Sequence, residues 1–237
     1  SLIVMSGLGF LLFRYAKRMD ERIGREQAEK ENSMRRELTQ NISHELKTPV
    51  ASILGYTETI MESPNISDEV KNQFLTRTHE QAKRLTMLLQ DISTLNRMDY
   101  AKDMIAKERV DVSTLFADIV EETSFVMASR QMTMKNYLPQ NIIIHGSHSL
   151  LYSIFRNLID NSINYAGKGS TIEVSAKEMQ NYWQFSFGDN GGGIPQEHLS
   201  RIFERFYRID KGRSREMGGT GLGLSIVKNA VMLHGGN

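Results

Sequence analysis

The pattern of polar and apolar positions divides the chain into a helical half and a mixed half. An uncharged apolar run, residues 2–13, is followed at once by Arg14, Lys17 and Arg18. Residues 15–41 are polar, rich in Glu, Arg, Lys and Gln, and free of proline, which predicts a solvated helix such as one strand of a coiled coil. An apolar stripe with three- and four-residue spacing continues this helix: Leu38, Ile42, Leu46, Val50 and Ile53.

A second long helix is predicted after a turn at SPNIS, residues 63–67. It covers about residues 68–98. A continuous seam along it repeats every seven residues, at Phe74, Gln81, Leu88 and Leu95. Leu85 and Ile92 form a second series with the same spacing, offset from the first. One hairpin cannot bury both stripes well, whereas two copies bury them in a four-helix bundle. The pattern therefore predicts a symmetric homodimer.

The pattern changes to that of an α/β domain after a short link at residues 100–107. Helices are predicted over residues 113–129 and 147–166, and strands over 132–138, 141–144, 171–179 and 182–187. The pattern thus predicts a helical hairpin followed by a mixed α/β domain.

Composition limits the classes of function. The 237 residues are 40% hydrophobic and 24% charged, enough for one compact domain plus a helical part. Lys+Arg 29 against Asp+Glu 28 leaves a formal charge of +1, so no general attraction to nucleic acid is expected. The absence of cysteine (Cys 0) excludes disulfides and thiolate metal sites.

The apolar run at residues 2–13 has two interpretations. Twelve helical residues reach about 18 Å, short of the roughly 30 Å hydrocarbon core, which suits a buried helix or a signal-peptide core. However, the basic residues follow the run, and no small-residue cleavage site comes next. These features favour the end of a transmembrane helix that begins outside the given sequence, with the basic residues marking the cytoplasmic side.

His44, in the segment NISHELKTPV, is a candidate nucleophile. At about 100° per residue it lies roughly 200° from Ile42, on the solvent side of the helix, and Thr48 lies on the same side one turn later. Glu45 is suited to accept a proton from the imidazole or to orient it. Pro49 cannot donate a backbone hydrogen bond and is expected to bend the helix there.

Two later segments are suited to binding a nucleotide. The segment NLIDNSINYA carries carboxamides whose oxygens are hard ligands of the kind that Mg²⁺ prefers, and Asp189 in GDNGGGIP is placed to accept a hydrogen bond from an adenine amino group. The segment GGTGLGLS precedes a helix, where free amides and the helix dipole favour phosphate. It matches neither a Walker loop nor a dinucleotide fingerprint. Basic residues precede it: Arg205, Arg208, Lys211, Arg213 and Arg215.

Residues 35–236 resemble the catalytic core of a bacterial two-component sensor histidine kinase. The histidine box (NISHELKTPV), asparagine box (NLIDNSINYA), first glycine box (GDNGGGIP), aromatic box (IFERFYRID) and second glycine box (GGTGLGLS) occur in the order of that family. The resemblance implies a helical hairpin that forms a dimeric four-helix bundle, followed by an α/β sandwich ATP-binding domain of the GHKL (Bergerat) type. It also implies ATP and Mg²⁺ as cofactors and a response regulator as partner.

The resemblance assigns roles to residues of this chain. His44 would be the phosphoacceptor, Glu45 its acid/base partner, and Thr48 would position water for removing phosphate from the regulator. Asn161 would bind Mg²⁺, and Asp189 would read the adenine. The nucleotide-binding set would comprise Asn157, Asn161, Asn164, Tyr165, Asp189, Gly191, Gly193, Ile194, Arg205, Arg208, Lys211, Gly219, Thr220, Gly221, Leu222, Gly223 and Leu224, with glycines 219, 221 and 223 forming the hinge of the ATP lid.

The implied organisation has four segments. They are a membrane helix end (1–13), a membrane-proximal signalling helix (14–34), the dimerisation and phosphotransfer domain (35–105) and the ATP-binding domain (106–237), which would lack two C-terminal strands. The roughly thirty residues between the membrane run and His44 would be too few for a HAMP or PAS module. Asn164 stands where the family often has a phosphate-contacting Lys, so either ATP would be held less tightly or Lys168 or Lys211 would compensate.

Two other classes of protein are weighed against this resemblance. Gyrase, Hsp90 and mismatch-repair proteins share the ATP-binding fold, but they carry a water-activating Glu four residues before the metal-binding Asn, where this chain has Asn157. The substitution favours transfer to histidine over hydrolysis. A non-catalytic dimeric scaffold is the other alternative, and the intact His44, Asn161 and Asp189 argue against it.

Overall fold

The structure, a computed structural model, describes residues 2–100, 105–209 and 219–237. The chain separates into two compact units, residues 1–51 and residues 52–237. The boundary falls inside the first helix, so the first unit is helical throughout its described residues. The second unit contains the hairpin turn, the second helix and the α/β region.

Helix α1 covers Leu2–Glu62 and helix α2 covers Asp68–Tyr100. Helix α1 continues through Pro49 and ends just before Ser63-Pro64, because the residue that precedes a proline is disfavoured in helical conformation. Asp68 and Glu69 in the first turn of α2 complement the positive end of its helix dipole. The rings of Tyr56 and Phe74 stack with centroids 5.3 Å apart and join the two helices near the turn. The predicted hairpin is thus confirmed.

The apolar run at the start of α1 is helical, as predicted. Among the helices of the described residues, none combines the length and the apolar character that crossing a bilayer requires.

Strand β1, Glu108–Asp111, lies between the link and the next helix, where the sequence pattern predicts no element. It pairs antiparallel with β3, Ile143–Gly146, and Val110 lies opposite Ile144. The prediction placed β3 at residues 141–144, two residues early, because Asn141 adopts a left-handed backbone conformation with φ 61° and belongs to the preceding turn. Four-residue strands carry too little alternation to fix their bounds.

Helix α3 covers Val112–Ser129 and begins at a side-chain cap. The Asp111 carboxylate accepts hydrogen bonds from the backbone N–H groups of Ser113 and Thr114, at 2.9 and 3.3 Å. These bonds satisfy two of the amide groups that a helix leaves free at its first turn.

The larger sheet consists, within the described residues, of β2 (Thr133–Tyr137), β4 (Thr171–Glu178) and β5 (Trp183–Asp189), in the order β2-β4-β5. Strands β2 and β4 are parallel, with helix α4 (His148–Tyr165) in the connection between them, and β5 returns antiparallel to β4. Helix α5, Gly223–Leu233, packs on α4.

The core of the α/β region lies between its helices and the sheet. Phe155 of α4 makes edge contacts with Phe116 of α3 and Phe185 of β5, with centroids 5.4 and 5.5 Å apart. Phe116 is fully buried, and each such large apolar side chain contributes about 1.5–3 kcal/mol through burial. Other fully buried side chains of this core are Val112, Ile119, Ile142, Ile159, Ile172 and Leu222.

His234 fastens the end of α5 to the beginning of α4. Its Nε2 accepts a hydrogen bond from the Ser147 N–H at 3.0 Å, and its Nδ1 lies 2.7 Å from the Ala230 carbonyl oxygen. The imidazole thus bridges the backbone at the beginning of α4 and the last turn of α5. A β-carbon at Gly146 would lie 2.4 Å from the imidazole, so only glycine lets the ring approach.

Candidate functional site

The candidate phosphoacceptor lies on the first unit of the chain. His44 is exposed on α1, Thr48 is exposed one turn later, and Glu45 is half-buried. The Thr48 hydroxyl lies 3.4 Å from the His44 carbonyl oxygen, toward which it donates. The predicted placement of His44 and Thr48 on the solvent side is confirmed.

Asn157 connects the asparagine box with the second glycine box. Its Nδ2 donates to the Ser153 carbonyl oxygen at 2.8 Å, one turn earlier on α4. A β-carbon at Gly223 would lie 2.5 Å from Asn157 Oδ1, so the missing side chain lets the beginning of α5 approach this carboxamide. The two segments, 66 positions apart in the sequence, therefore meet at the N-terminal end of a helix.

The remaining candidates of the asparagine box are accessible. Asn161 and Asn164 are half-buried, and Tyr165 is 51% exposed. Between them and Asn157 lies Asp160, whose carboxylate accepts from Arg156 at 3.0 Å. Burial raises the pKa of Asp160 above its ordinary value, and the Arg156 charge offsets only part of that effect.

Asp189, at the end of β5, is held in place by two donors. Its Oδ2 accepts from the Ser162 hydroxyl at 2.7 Å and its Oδ1 from the Gly191 N–H at 3.0 Å. Because Ser162 follows Asn161 on α4, the first glycine box is joined to the asparagine box. Ser162 is a residue that the sequence analysis missed, since no spacing rule connects it to Asp189, 27 positions away.

The first glycine box approaches the end of α4 closely. A β-carbon at Gly191 would lie 2.5 Å from the Cα of Ala166, which is backbone and cannot give way. Gly193 has a left-handed backbone, with φ 69°, and Ile194 beside it is 44% exposed. The turn therefore requires glycine at these two positions.

The second glycine box is braced by the aromatic box. The Gly221 carbonyl oxygen accepts from the Phe206 N–H at 2.8 Å, and the Gly219 carbonyl oxygen accepts from Arg208 at 2.6 Å. Leu222 is fully buried, and Gly223 and Leu224 begin α5. The predicted candidate Lys211 lies outside the described residues, as do Arg213, Arg215 and Gly218.

Two further candidates contact helix α2. Arg205 donates to both carboxylate oxygens of Asp99 at 2.9 Å, and the Thr220 hydroxyl donates to Asp91 at 2.7 Å. Neither acidic residue was predicted, because an acid on a polar helix surface has no distinguishing sequence signal. The structure thus places the Arg205 guanidinium on a carboxylate of α2.

The chemistry of this site fits a nucleotide with a magnesium ion. Asp189 is exposed and fixed, so it keeps lone pairs for an amino group, and the glycines leave room for close approach of a ligand. In the described part of the chain no group of three His, Cys, Asp or Glu residues is arranged to hold a metal. Mg²⁺ needs no such group, because it binds through phosphate oxygens, waters and one or two protein oxygens.

Two family models match this chain. Residues 34–101 match the His Kinase A (phospho-acceptor) domain. Residues 146–237 match the "Histidine kinase-, DNA gyrase B-, and HSP90-like ATPase" family. The fold and these matches define the class: a phosphoacceptor helical hairpin followed by an ATPase-type α/β domain.

Relatives and solved structures give the same result. The sensor protein kinase WalK of Staphylococcus aureus is 36% identical over 205 residues, which are 85% of this chain and 49% of that protein. WalK of Staphylococcus epidermidis is equally similar, with 33% of its length covered. The chain thus spans between about a third and a half of the length of these relatives. It belongs to the two-component sensor histidine kinases.

The architecture is also that of solved histidine kinases. The Acinetobacter baumannii histidine kinase AdeS aligns with a TM-score of 0.64 and 21% identity, over 80% of this chain and 86% of that one. ShkA, solved in complex with AMPPNP, aligns with a TM-score of 0.58 and 22% identity, over 83% of this chain and 41% of that one. ThkA, solved with the response regulator TrrA, aligns with a TM-score of 0.60 and 18% identity, over 73% and 50%. At identities this low, the similarity shows that the fold is shared and nothing more.

Proposed function

We propose that the chain transfers the γ-phosphoryl group of ATP to His44 and passes it on to an aspartate of a response regulator. The observation that carries this proposal is the joining of three sequence boxes around α4: Asn157 against Gly223, and Ser162 holding Asp189. This arrangement brings a fixed carboxylate and a helix N-terminus against the same helix, α4. Among proteins of this fold, ShkA was solved in complex with AMPPNP and ThkA in complex with the response regulator TrrA, so the two partners that the proposal requires are partners of the fold.

The proposed chemistry divides among the residues as follows. Asp189 accepts a hydrogen bond from the adenine amino group, and the amides at the beginning of α5 bind phosphate. Asn161 supplies the protein ligand of Mg²⁺, which neutralises phosphate charge. An imidazole nitrogen of His44 forms a bond to the γ-phosphorus while the bond to the bridging oxygen breaks and ADP leaves. Glu45 takes up the imidazole proton.

The first test replaces the acceptor. His44→Gln is expected to abolish labelling by radioactive ATP with Mg²⁺, because it removes the only nitrogen nucleophile proposed for the reaction. His79→Gln, at an exposed histidine of α2, is the matched control and is expected to label normally. The label is expected to be acid-labile and base-stable, as a phosphorus–nitrogen bond is. Undiminished labelling of His44→Gln would refute the acceptor.

The second test removes the proposed metal ligand. Asn161→Ala is expected to reduce the labelling rate by about a hundredfold, because catalysis rests on positioning and charge neutralisation. Asn181→Ala, in the exposed turn between β4 and β5, is the control. Sedimentation should show unchanged assembly in both. A wild-type labelling rate in Asn161→Ala would overturn the metal assignment.

We also propose that Thr48 serves a phosphatase activity toward the phosphorylated regulator. Its hydroxyl would hold a water in line with the aspartyl phosphate, an orientation effect that autophosphorylation does not need. Thr48→Ala should label His44 within a few fold of wild type but remove regulator phosphate about tenfold more slowly. Thr59→Ala, at an exposed threonine of the same helix, is expected to leave both rates unchanged. Equal loss of both activities in Thr48→Ala would contradict the assignment.

The remaining proposals concern assembly. The exposed apolar positions of the hairpin support a homodimer. The proposed domains of each copy are a phosphotransfer domain at residues 35–105 and an ATP-binding domain at residues 106–237.

Attachment to the cytoplasmic membrane is proposed from the sequence of residues 2–13. The run is apolar, and basic residues follow it directly. Fractionation of cells that make the natural protein tests it.

A further inference from the structure

The C-terminal half of α2 packs on the α/β region as well as forming half of the hairpin. It contacts α5, and Leu88, Leu95 and Met98 are buried on it. Asp91 shares this side of the helix, since it stands three residues after Leu88 and four before Leu95. An acidic side chain therefore lies within a mostly apolar contact surface. Burial accordingly raises the pKa of Asp91, the Thr220 hydrogen bond lowers it in part, and the charge of Asp160 adds to the increase.

The first polar contact of this surface reaches the second glycine box. The buried Thr220 hydroxyl donates to Asp91 at 2.7 Å and accepts from the Leu222 N–H at 3.2 Å. Gly221, between them, has a left-handed backbone with φ 75°. One hydroxyl thus links an α2 carboxylate to the backbone that leads into α5.

The second contact lies about 12 Å further along α2, eight residues after the first. Arg205 donates to both oxygens of Asp99 at 2.9 Å, and both side chains are about 70% shielded from solvent, with exposures of 28% and 30%. The next residue, Phe206, donates its N–H to the Gly221 carbonyl oxygen. The segment of Arg205 is therefore hydrogen-bonded to the second glycine box, and each of the two also contacts an acidic residue of α2.

We propose that Asp91 and Asp99 form an acidic clamp, in which Asp99 competes with nucleotide phosphate for Arg205 while Asp91 holds Thr220 of the second glycine box. In the clamped state the guanidinium is neutralised by Asp99 and the second glycine box is fixed to α2. A bound triphosphate offers the same guanidinium a stronger set of acceptors, so ligand binding and release from α2 are coupled. This inference rests on the proposed function, because it assigns a regulation to that same nucleotide site.

The test removes the clamp from the α2 side, where neither residue belongs to the nucleotide site. The double variant Asp91→Ala, Asp99→Ala is compared with Glu80→Ala, which removes an exposed α2 carboxylate that forms an ion pair with Arg77. Without nucleotide, the amides of residues 219–227 are expected to exchange hydrogen about tenfold faster in the double variant. The rate in Glu80→Ala should equal that of wild type, and unchanged exchange in the double variant overturns the clamp.

A charge exchange separates the clamp from general loosening. Asp99→Arg should accelerate exchange in residues 219–227, and Asp99→Arg with Arg205→Asp should restore protection, because the pair is re-formed with opposite polarity. The combined variant should still label poorly, since Arg205 would no longer reach phosphate. Failure of the second change to restore protection contradicts the pairing.

The kinetic arm measures labelling with ATP and Mg²⁺. The double Ala variant is expected to label His44 about three- to tenfold faster than wild type, a coupling of ordinary size. Equal labelling rates would refute the competition, even if exchange is faster. If wild-type His44 is not labelled at all, the proposed function fails, whereas the exchange measurements still decide whether the clamp exists.

Discussion

The helical hairpin and the α/β region differ in how far they bury their large apolar side chains. In the α/β region Phe116, Ile119 and Ile159 have no exposed surface. In the hairpin, Leu54 is 53% exposed and Leu89 is 50% exposed. Others in the hairpin share this exposure: Val50, Met61, Val70, Leu75 and Met87. The α/β region therefore carries its own core, and the hairpin depends on another surface to complete its core.

This difference separates two kinds of stability. The α/β region is stabilised by packing within one chain, so its free energy of unfolding should be independent of protein concentration. The hairpin is proposed to gain much of its stability from a second copy, which makes it concentration-dependent. Mutations of the exposed apolar side chains of the hairpin, away from its contact with α5, should therefore leave the α/β region largely unaffected.

The largest effect is expected from Phe116→Ala in the α/β core. It removes a fully buried ring that meets Phe155 edge-on, and should lower the free energy of unfolding by about 3–5 kcal/mol. Phe125→Ala, on the same helix at an 83% exposed position, should change it by less than about 0.5 kcal/mol. Denaturant titration followed by circular dichroism measures both. A similar cost for the two variants would remove the contrast.

A smaller effect is expected where the α/β region is fastened by a polar contact. His234→Ala leaves the Ser147 N–H without its acceptor and should cost about 1–3 kcal/mol in the same titration. His148→Ala, at an exposed neighbour of that contact, is the control and should be nearly neutral. An equal cost at both positions would mean that the imidazole bridge contributes nothing specific.

The smallest effect on unfolding of the α/β region is expected from the hairpin surface. Leu54→Glu or Leu89→Glu should raise the dissociation constant of the proposed dimer about tenfold, or about 1.4 kcal/mol, by placing a charge in an apolar interface. Gln90→Glu adds the same charge beside Leu89 at a position that is already polar. Analytical ultracentrifugation compares the three. A purely monomeric wild type would contradict the proposed assembly.

Periodicity was sufficient for the long elements of the fold. The turn at SPNIS was predicted between the helices, and α1 ends at Glu62 while α2 begins at Asp68. The short strand β1 was missed, because four residues show no period and their pairing with β3 lies more than thirty residues away. Local pattern identifies elements that are long enough to repeat, and tertiary pairing decides the others.

The sequence predicts which residues belong to the candidate site better than it predicts which residues they contact. Box order pointed to Asn161 and Asp189, but only the folded chain reveals Ser162 as the donor to Asp189. Likewise, a basic loop suggested phosphate ligands, whereas Arg205 meets Asp99 on α2. Such partners are set by topology, and a sequence motif describes one side of a contact at a time.

The hydrogen bond between His234 and Ser147 also affects the order in which parts of the protein fold during synthesis. It joins residues 87 positions apart, whereas Tyr56 and Phe74 of the hairpin are neighbours across a short turn. During synthesis the hairpin can form early, while α4 waits on the ribosome for α5 to be completed. The asparagine box therefore remains without its glycine-box partner until residues 223–234 have emerged. The growing chain consequently acquires its helical hairpin before it has a complete nucleotide site.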